Sequence, residues 1–172
     1  MAEERADSRR LPQTVELIMT DLSLYRIVES TKPKVKLPPP DQIGIVVRDV
    51  DETIRFYSSV FGWGPFYVTE TAPREGAFWG ATTRYSLKLA FAQLGPIEIE
   101  LIQVLEGDTA HSKFLQEEGE GLHHLRFLVD DLDGVLEALA GEGIEPIWRR
   151  GNMVLLNSDK TGGVMFELIQ LK

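Results

Sequence analysis

The sequence predicts an α+β fold built from two copies of one βαβββ module, and two recurrences carry that prediction. Glu100-Leu101-Ile102-Gln103 returns as Glu167-Leu168-Ile169-Gln170 near the C-terminal end. At a corresponding place ahead of each copy lie Gln42-Ile43-Gly44-Ile45-Val46-Val47-Arg48-Asp49-Val50-Asp51 and His124-Leu125-Arg126-Phe127-Leu128-Val129-Asp130-Asp131-Leu132-Asp133. Each reads as a short apolar strand, an acidic turn and a helical run. The modules cover about residues 41–105 and 121–172, and residues 1–40 precede them as an N-terminal extension.

In that extension Val15, Ile18, Leu22 and Tyr25 fall at helical spacing, but Leu17, Met19, Ile27 and Val28 widen the apolar surface, so helix and strand both stay open. Lys32-Pro33-Lys34 and Pro38-Pro39-Pro40 form a stiff, extended linker. The segment reads as a packing arm or dimer contact. The first strand is Gln42 to Val47, with Ile43, Ile45 and Val47 on one face and Gln42, Gly44 and Val46 on the other. Asp49 and Glu52 are a capping pair for a helix whose apolar stripe is Val50, Ile54, Tyr57 and Val60 or Phe61, ended by Gly62 and Gly64. Phe66 to Thr71, Arg84 to Gln93 and Ile97 to Val104 read as three strands, with a glycine-containing loop around 74–80 and a Gly95-Pro96 turn between them.

Between the modules the chain is polar, with a short helix near Ser112 to Glu117. The second module then repeats the order. A strand from Leu122 to Val129 leads into a helix carrying Leu132, Val135, Leu136 and Leu139, closed by Gly141 and Gly143. Strands near Ile147 to Arg149, Met153 to Leu156 and Val164 to Leu171 follow, the last fed by the turn at 157–163.

At 172 residues and 43% hydrophobic, the chain can bury one sizeable core. Two halves of this size bury too little surface to stand alone, so they should share it. Absence of cysteine excludes disulfides and thiolate metal sites and fits a reducing cytoplasm. The charged opening, Met1 to Arg10, lacks the apolar stretch of a signal peptide, and no run is long enough to span a bilayer, so a soluble, cytoplasmic protein is expected. A formal net charge of -9 repels phosphate backbones and anionic lipid, so neither nucleic acid nor membrane is expected as a partner. An anionic substrate would need a local cation.

Alternation places the apolar rows against the helices and leaves Gln42, Glu100, His124 and Glu167 on the other face of the sheet. They occupy equivalent places in the two repeats, and a pseudo-twofold relation would bring them together. One imidazole, two carboxylates and one amide oxygen suit a borderline or hard divalent ion, with positions left for water or substrate. Zinc, cobalt, nickel, manganese and magnesium are all admissible. Singly, each of these residues is more often a satisfied or solvated polar group; four at duplicated positions on one face favour one metal site. His123, by alternation on the face of Leu125 and Phe127, reads as a packed residue or as one that supports a ligand from behind, and His111 as a surface one. Arg126 projects to the side of His124, where it either holds a substrate carboxylate or phosphate or pairs with Glu98. Phe66, Phe78, Trp79, Tyr85 and Trp148 are candidates for a pocket lining.

The pattern resembles the vicinal oxygen chelate superfamily, which includes glyoxalase I, methylmalonyl-CoA epimerase, extradiol dioxygenases and bleomycin-resistance proteins. The likeness covers roughly 41–172. It is most similar to the epimerase branch in Ile43-Gly44-Ile45-Val46-Val47 before Asp49, Phe56-Tyr57, Gly121-Leu122-His123-His124, and Gly162-Gly163-Val164 before Glu167-Leu168. The resemblance implies a half-open, eight-stranded barrel-like sheet around one metal, and a homodimer. That branch usually opens its first strand with a histidine ligand, where this chain has Gln42; the set Gln42, Glu100, His124, Glu167 is similar to that of zinc-type glyoxalase I. A two-histidine, one-carboxylate iron site cannot be assembled from these positions.

The activity so implied is metal-dependent proton abstraction next to a carbonyl or thioester, as in an epimerase or isomerase, with Glu167 as base and Glu100 as ligand or partner base. The implied substrate is a small, anionic molecule, an acyl-CoA or a glutathione adduct, with Arg126 holding its charge. A glyoxalase I-like lactoylglutathione lyase is the second expectation, and a metal-free, resistance-type binding protein the third.

Overall fold

A computed structural model describes residues 32–171. The N-terminal expectations on residues 1–31 lie outside that range. Lys34–Lys172 form one compact unit. Nine strands and three helices follow one another among the described residues: β1 Gln42–Val46, α1 Val50–Phe61, β2 Tyr67–Glu70, β3 Arg74–Phe78, β4 Ala81–Leu94, β5 Ile97–Glu106, α2 Ala110–Glu117, β6 Gly121–Val129, α3 Leu132–Ala140, β7 Pro146–Arg150, β8 Met153–Leu156 and β9 Met165–Gln170.

Eight strands form one curled half-barrel in the order β2-β4-β5-β1-β6-β9-β8-β7, and this is the architecture the two repeats predict. The modules meet where β1 pairs antiparallel with β6. From that seam each half runs outward alike: β1 pairs parallel with β5 and β6 parallel with β9, and antiparallel strands complete both sides. The registers match as well. Gln42 stands opposite the residue two before Glu100, and His124 opposite the residue two before Glu167.

The ninth strand is a correction. The glycine-containing segment 74–80 predicts a loop, but β3 pairs with β4 through a two-residue turn at Trp79 and Gly80, where φ is 50° and 81°. Positive φ at both turn residues matches the twist of a hairpin. Tryptophan is not a residue that advertises such a turn. The Trp79 N–H donates to the Ile147 carbonyl at 2.9 Å, which ties this hairpin to β7.

The outward-facing apolar rows do pack on the helices. Ile43, Ile45, Val47, Ile99 and Leu101 join Val50, Ile54 and Tyr57 of α1. Phe127, Val129, Val154 and Leu168 join Leu132, Val135, Leu136 and Leu139 of α3. Asp49 caps α1 by accepting from Glu52 N–H, and Gly62 ends it at φ 68°. Its last turn departs from the expected stripe, since Val60 and Phe61 are 57% and 53% exposed. Phe61 packs on the rings of Phe56 and Trp63 rather than on the sheet. The concave side holds a third cluster around Val46, Phe78, Tyr85, Leu87, Ile102 and Leu155.

Candidate active site

The concave face carries a cavity of about 320 Å³, walled by Phe78, Tyr85, Leu87, Leu89, Phe91 and Trp148, with Gln42, Glu100, His124 and Glu167 among its polar lining. Of the five candidate aromatic residues, Phe78, Tyr85 and Trp148 line it. Phe66 packs in the α1 core, and Trp79 sits exposed at the hairpin turn.

The four polar residues come from β1, β5, β6 and β9, two from each module, and they converge. His124 Nε2 lies 3.4 Å from Gln42 Oε1, 3.5 Å from Glu100 Oε2 and 3.8 Å from Glu167 Oε2. Gln42 and His124 are 1% and 2% exposed. Ligands about 2.1 Å from one ion and at right or tetrahedral angles stand roughly 3.0–3.4 Å apart. This nitrogen and oxygen donor set therefore fits a divalent cation with little rearrangement.

Two neighbours hold the set in place. The Gln42 amide donates to Glu98 Oε1 at 2.6 Å, which turns its carbonyl oxygen toward His124. Gly44 lies opposite His124 across the β1–β6 seam, and the imidazole lies over it. Position 44 is thus a packing requirement of the site, a role its sequence context does not reveal.

The electrostatics follow from burial. Desolvation pushes the Glu167 carboxyl up to about 7, against the pull of His124 and with added push from Glu100. Desolvation alone would lower His124, but its hydrogen bond to Glu100 and the charges of Glu167 and Glu100 outweigh this, and its value is raised. A buried carboxyl poised near neutrality beside an imidazole is the kind of group that moves protons.

Arg126 lines the cavity, yet its guanidinium is engaged elsewhere. It donates to both oxygens of Asp41, at 3.0 and 2.7 Å, and stands 3.3 Å from Glu98. The ion-pair reading is the one realised, with Asp41 as an unforeseen principal partner. Two other cavity residues present guanidinium groups without a carboxylate partner among the described residues: Arg74, whose buried Nε has no hydrogen bond and which lies 5.3 Å above the Tyr85 ring, and Arg150.

The histidines bring two corrections. The register shifts between Gly44 and Ile45, whose partners are His124 and Leu122, so β6 bulges at His123. A bulge breaks the period of two. His123 is packed, as expected, but not beside Leu125 and Phe127: its Nδ1 lies 3.1 Å from His124 Nδ1, and its ring meets Phe114 of α2. His111 is not a surface residue. It lines the cavity, with its ring 4.5 Å from that of His123, and burial, followed by the His124 charge, lowers its value to about 3. Burial, reinforced by the charges of His111 and His124 and opposed by the Ala110 backbone, likewise holds His123 well down. The sequence did carry a signal: Thr109 and Ser112 form a capping box that fixes the start of α2 and puts His111 on the side of Phe114 and Leu115.

A curled sheet of paired modules around a buried imidazole, carboxylate and amide set defines a class of protein. The chain belongs to the glyoxalase/bleomycin resistance protein/dioxygenase superfamily, whose model matches residues 41–154 and so includes Gln42, Glu100 and His124. It is 32% identical over 139 residues to the uncharacterized protein YqjC of Bacillus subtilis, covering 77% of this chain and 91% of that one. It is 26% identical over 138 residues to human mitochondrial methylmalonyl-CoA epimerase, covering 76% and 72% of the two chains. A solved methylmalonyl-CoA epimerase in complex with methylmalonyl-CoA and ammonium superposes with a TM-score of 0.61 at 25% identity, over 78% of this chain and 95% of that one.

Proposed function

We propose that the protein is a metal-dependent epimerase or isomerase that abstracts a proton next to a thioester carbonyl of an anionic acyl-CoA. The observation that carries this reading is the meeting of Gln42, Glu100 and Glu167 within 3.8 Å of His124 Nε2 on the lining of an apolar-walled cavity. The similarity to acyl-CoA epimerases supports the substrate class. Gln42, Glu100, His124 and Glu167 would hold one divalent ion. Bound there, such an ion would supply positive charge to the oxyanion that forms as the proton leaves.

The chain's own residues do the rest. Glu167 takes the proton from the carbon beside the carbonyl; burial raises its carboxyl above the ordinary value in the metal-free protein, which makes it a stronger base than a solvated carboxylate. Epimerisation needs a proton to arrive on the opposite face: Glu100, on the other module's strand, enters the step protonated and gives up its proton to that carbon, leaving Glu167 protonated and Glu100 ionised for the reverse pass. The apolar walls exclude water from the carbanion. The substrate's anionic group is assigned to Arg74 and not to Arg126, whose charge Asp41 and Glu98 already satisfy. The working unit is taken as a cytoplasmic homodimer.

A second reading is a glyoxalase I-like lyase acting on a glutathione hemithioacetal, favoured by Gln42 in place of a histidine. The test is elemental analysis before and after chelation, followed by reloading with zinc, cobalt, nickel, manganese or magnesium and solvent-deuterium exchange on both substrate types. About one ion per chain, lost in His124→Ala, with exchange into the acyl-CoA, is expected. Exchange or turnover only with the hemithioacetal selects the lyase. No ion under any loading would turn the reading toward the metal-free binding protein.

A further inference from the structure

We infer that His111, His123 and His124 form a second, three-imidazole metal site, which shares His124 with the carboxylate-rich site so that only one of the two is filled at a time. One ring nitrogen of each lies within 4.8 Å of the other two. The Nδ1 atoms of His123 and His124 are 3.1 Å apart, a separation that suits two ligands of one ion. His111 Nδ1 is buried without a hydrogen-bond partner among the described residues. Buried polar atoms are rarely left so. Three imidazoles are a donor set for copper, nickel or zinc, whereas magnesium and manganese prefer oxygen. His111 also lines the cavity, which gives an ion a way in.

The sharing follows from the chemistry of one ring. A neutral imidazole has a single lone pair. With the proton on Nδ1, His124 donates toward His123 and turns its Nε2 lone pair to the ion that Gln42, Glu100 and Glu167 would share with it. With the proton on Nε2, it donates toward Glu100 at 3.5 Å and turns its Nδ1 lone pair to the ion that His123 and His111 would share with it. Each tautomer finds a partner already in place, so the choice between them needs no large movement. A nitrogen-seeking ion therefore takes from the first site the ligand that an oxygen-seeking ion requires. This competition rests on the four-residue reading proposed above; the three-imidazole site does not.

The test uses the full chain, freed of metal, and two ions that report on themselves by electron paramagnetic resonance. Cu²⁺ should bind at about one per chain, with nitrogen hyperfine structure from three imidazoles, and should expel previously bound Mn²⁺ stoichiometrically. In His111→Phe the copper spectrum should lose one nitrogen and copper affinity should fall at least tenfold, while Mn²⁺ binding, which also serves as the control for folding, stays unchanged. An unaltered copper spectrum and affinity in His111→Phe would overturn the three-imidazole site. Cu²⁺ and Mn²⁺ held together, one of each per chain, would overturn the sharing. Absence of Mn²⁺ binding to the wild-type chain would overturn the four-residue reading and the sharing with it, leaving the copper spectrum to decide the second site.

Discussion

A Cβ added to Gly44 would stand 2.1 Å from Cε1 of the His124 imidazole, so the glycine on one module's first strand makes the space in which the other module's histidine lies. The pair spans the seam between the repeats, and it fixes how close His124 comes to Gln42.

Gly44→Ala is accordingly expected to displace the buried ring. Overpacking of this kind costs about 1–3 kcal/mol, and a misplaced ligand should lower divalent-ion affinity roughly 10–100-fold. Urea unfolding and calorimetric titration with Mn²⁺ check both. Wild-type affinity in the variant would show that the ring has another resting place.

Glu167→Gln should keep the fold and abolish proton exchange. Loss of a positioned base typically lowers the rate about 10²–10⁴-fold. Deuterium incorporation from solvent into an acyl-CoA thioester reads it directly, and near-normal incorporation would remove Glu167 from the role of base.

The two cavity arginines should behave differently. Arg74→Ala is expected to raise KM for an anionic acyl-CoA about 10-fold or more while sparing the fold, because no carboxylate pairs with it among the described residues. Arg126→Ala should instead destabilise the chain by about 1–3 kcal/mol, since Asp41 and Glu98 lose their counter-charge. Steady-state kinetics beside unfolding curves separate the two outcomes.

Stability of the metal-free protein should depend on pH from both sides. Glu167, raised from 4.5 to about 7, and His124, raised above 6.5, bind protons more tightly when folded. Their stabilisation is complete below their unfolded values and is lost as pH rises through the folded ones. His111, lowered to about 3, and His123, also lowered, contribute stability that is present above 6.5 and lost on acidification. Stability should peak near neutrality, and Glu167 alone should remove about 1 kcal/mol between pH 6.5 and 8.5. Saturating Mn²⁺, which replaces those protons, should flatten the alkaline fall.

The four-residue set was legible because two rules applied to it without interruption: alternation along a strand, and repetition of a module. Gln42, Glu100, His124 and Glu167 needed nothing else to be placed on one face. The bulge at His123 was hidden because an inserted residue cancels the period on which that reading rests. Neither Val60 nor Phe61, the two alternatives for the end of the stripe, joins the core, since a helical stripe says which side is apolar but not where the sheet beneath it ends. The partner of Arg126 was half seen: Glu98 shares a strand face with Glu100, whereas Asp41 lies just before β1, where strand alternation gives no guidance.

The equal registers on either side of the β1–β6 seam have one more consequence. Each module supplies two of the four converging residues, and the seam joins the modules by strand pairing alone, so a second chain's corresponding module can complete it wherever the connection keeps a chain's own modules from meeting. Separately expressed halves should then reconstitute the site when mixed, and a shortened connection between residues 106 and 121 should convert the intramolecular pairing into an exchanged dimer with two complete sites.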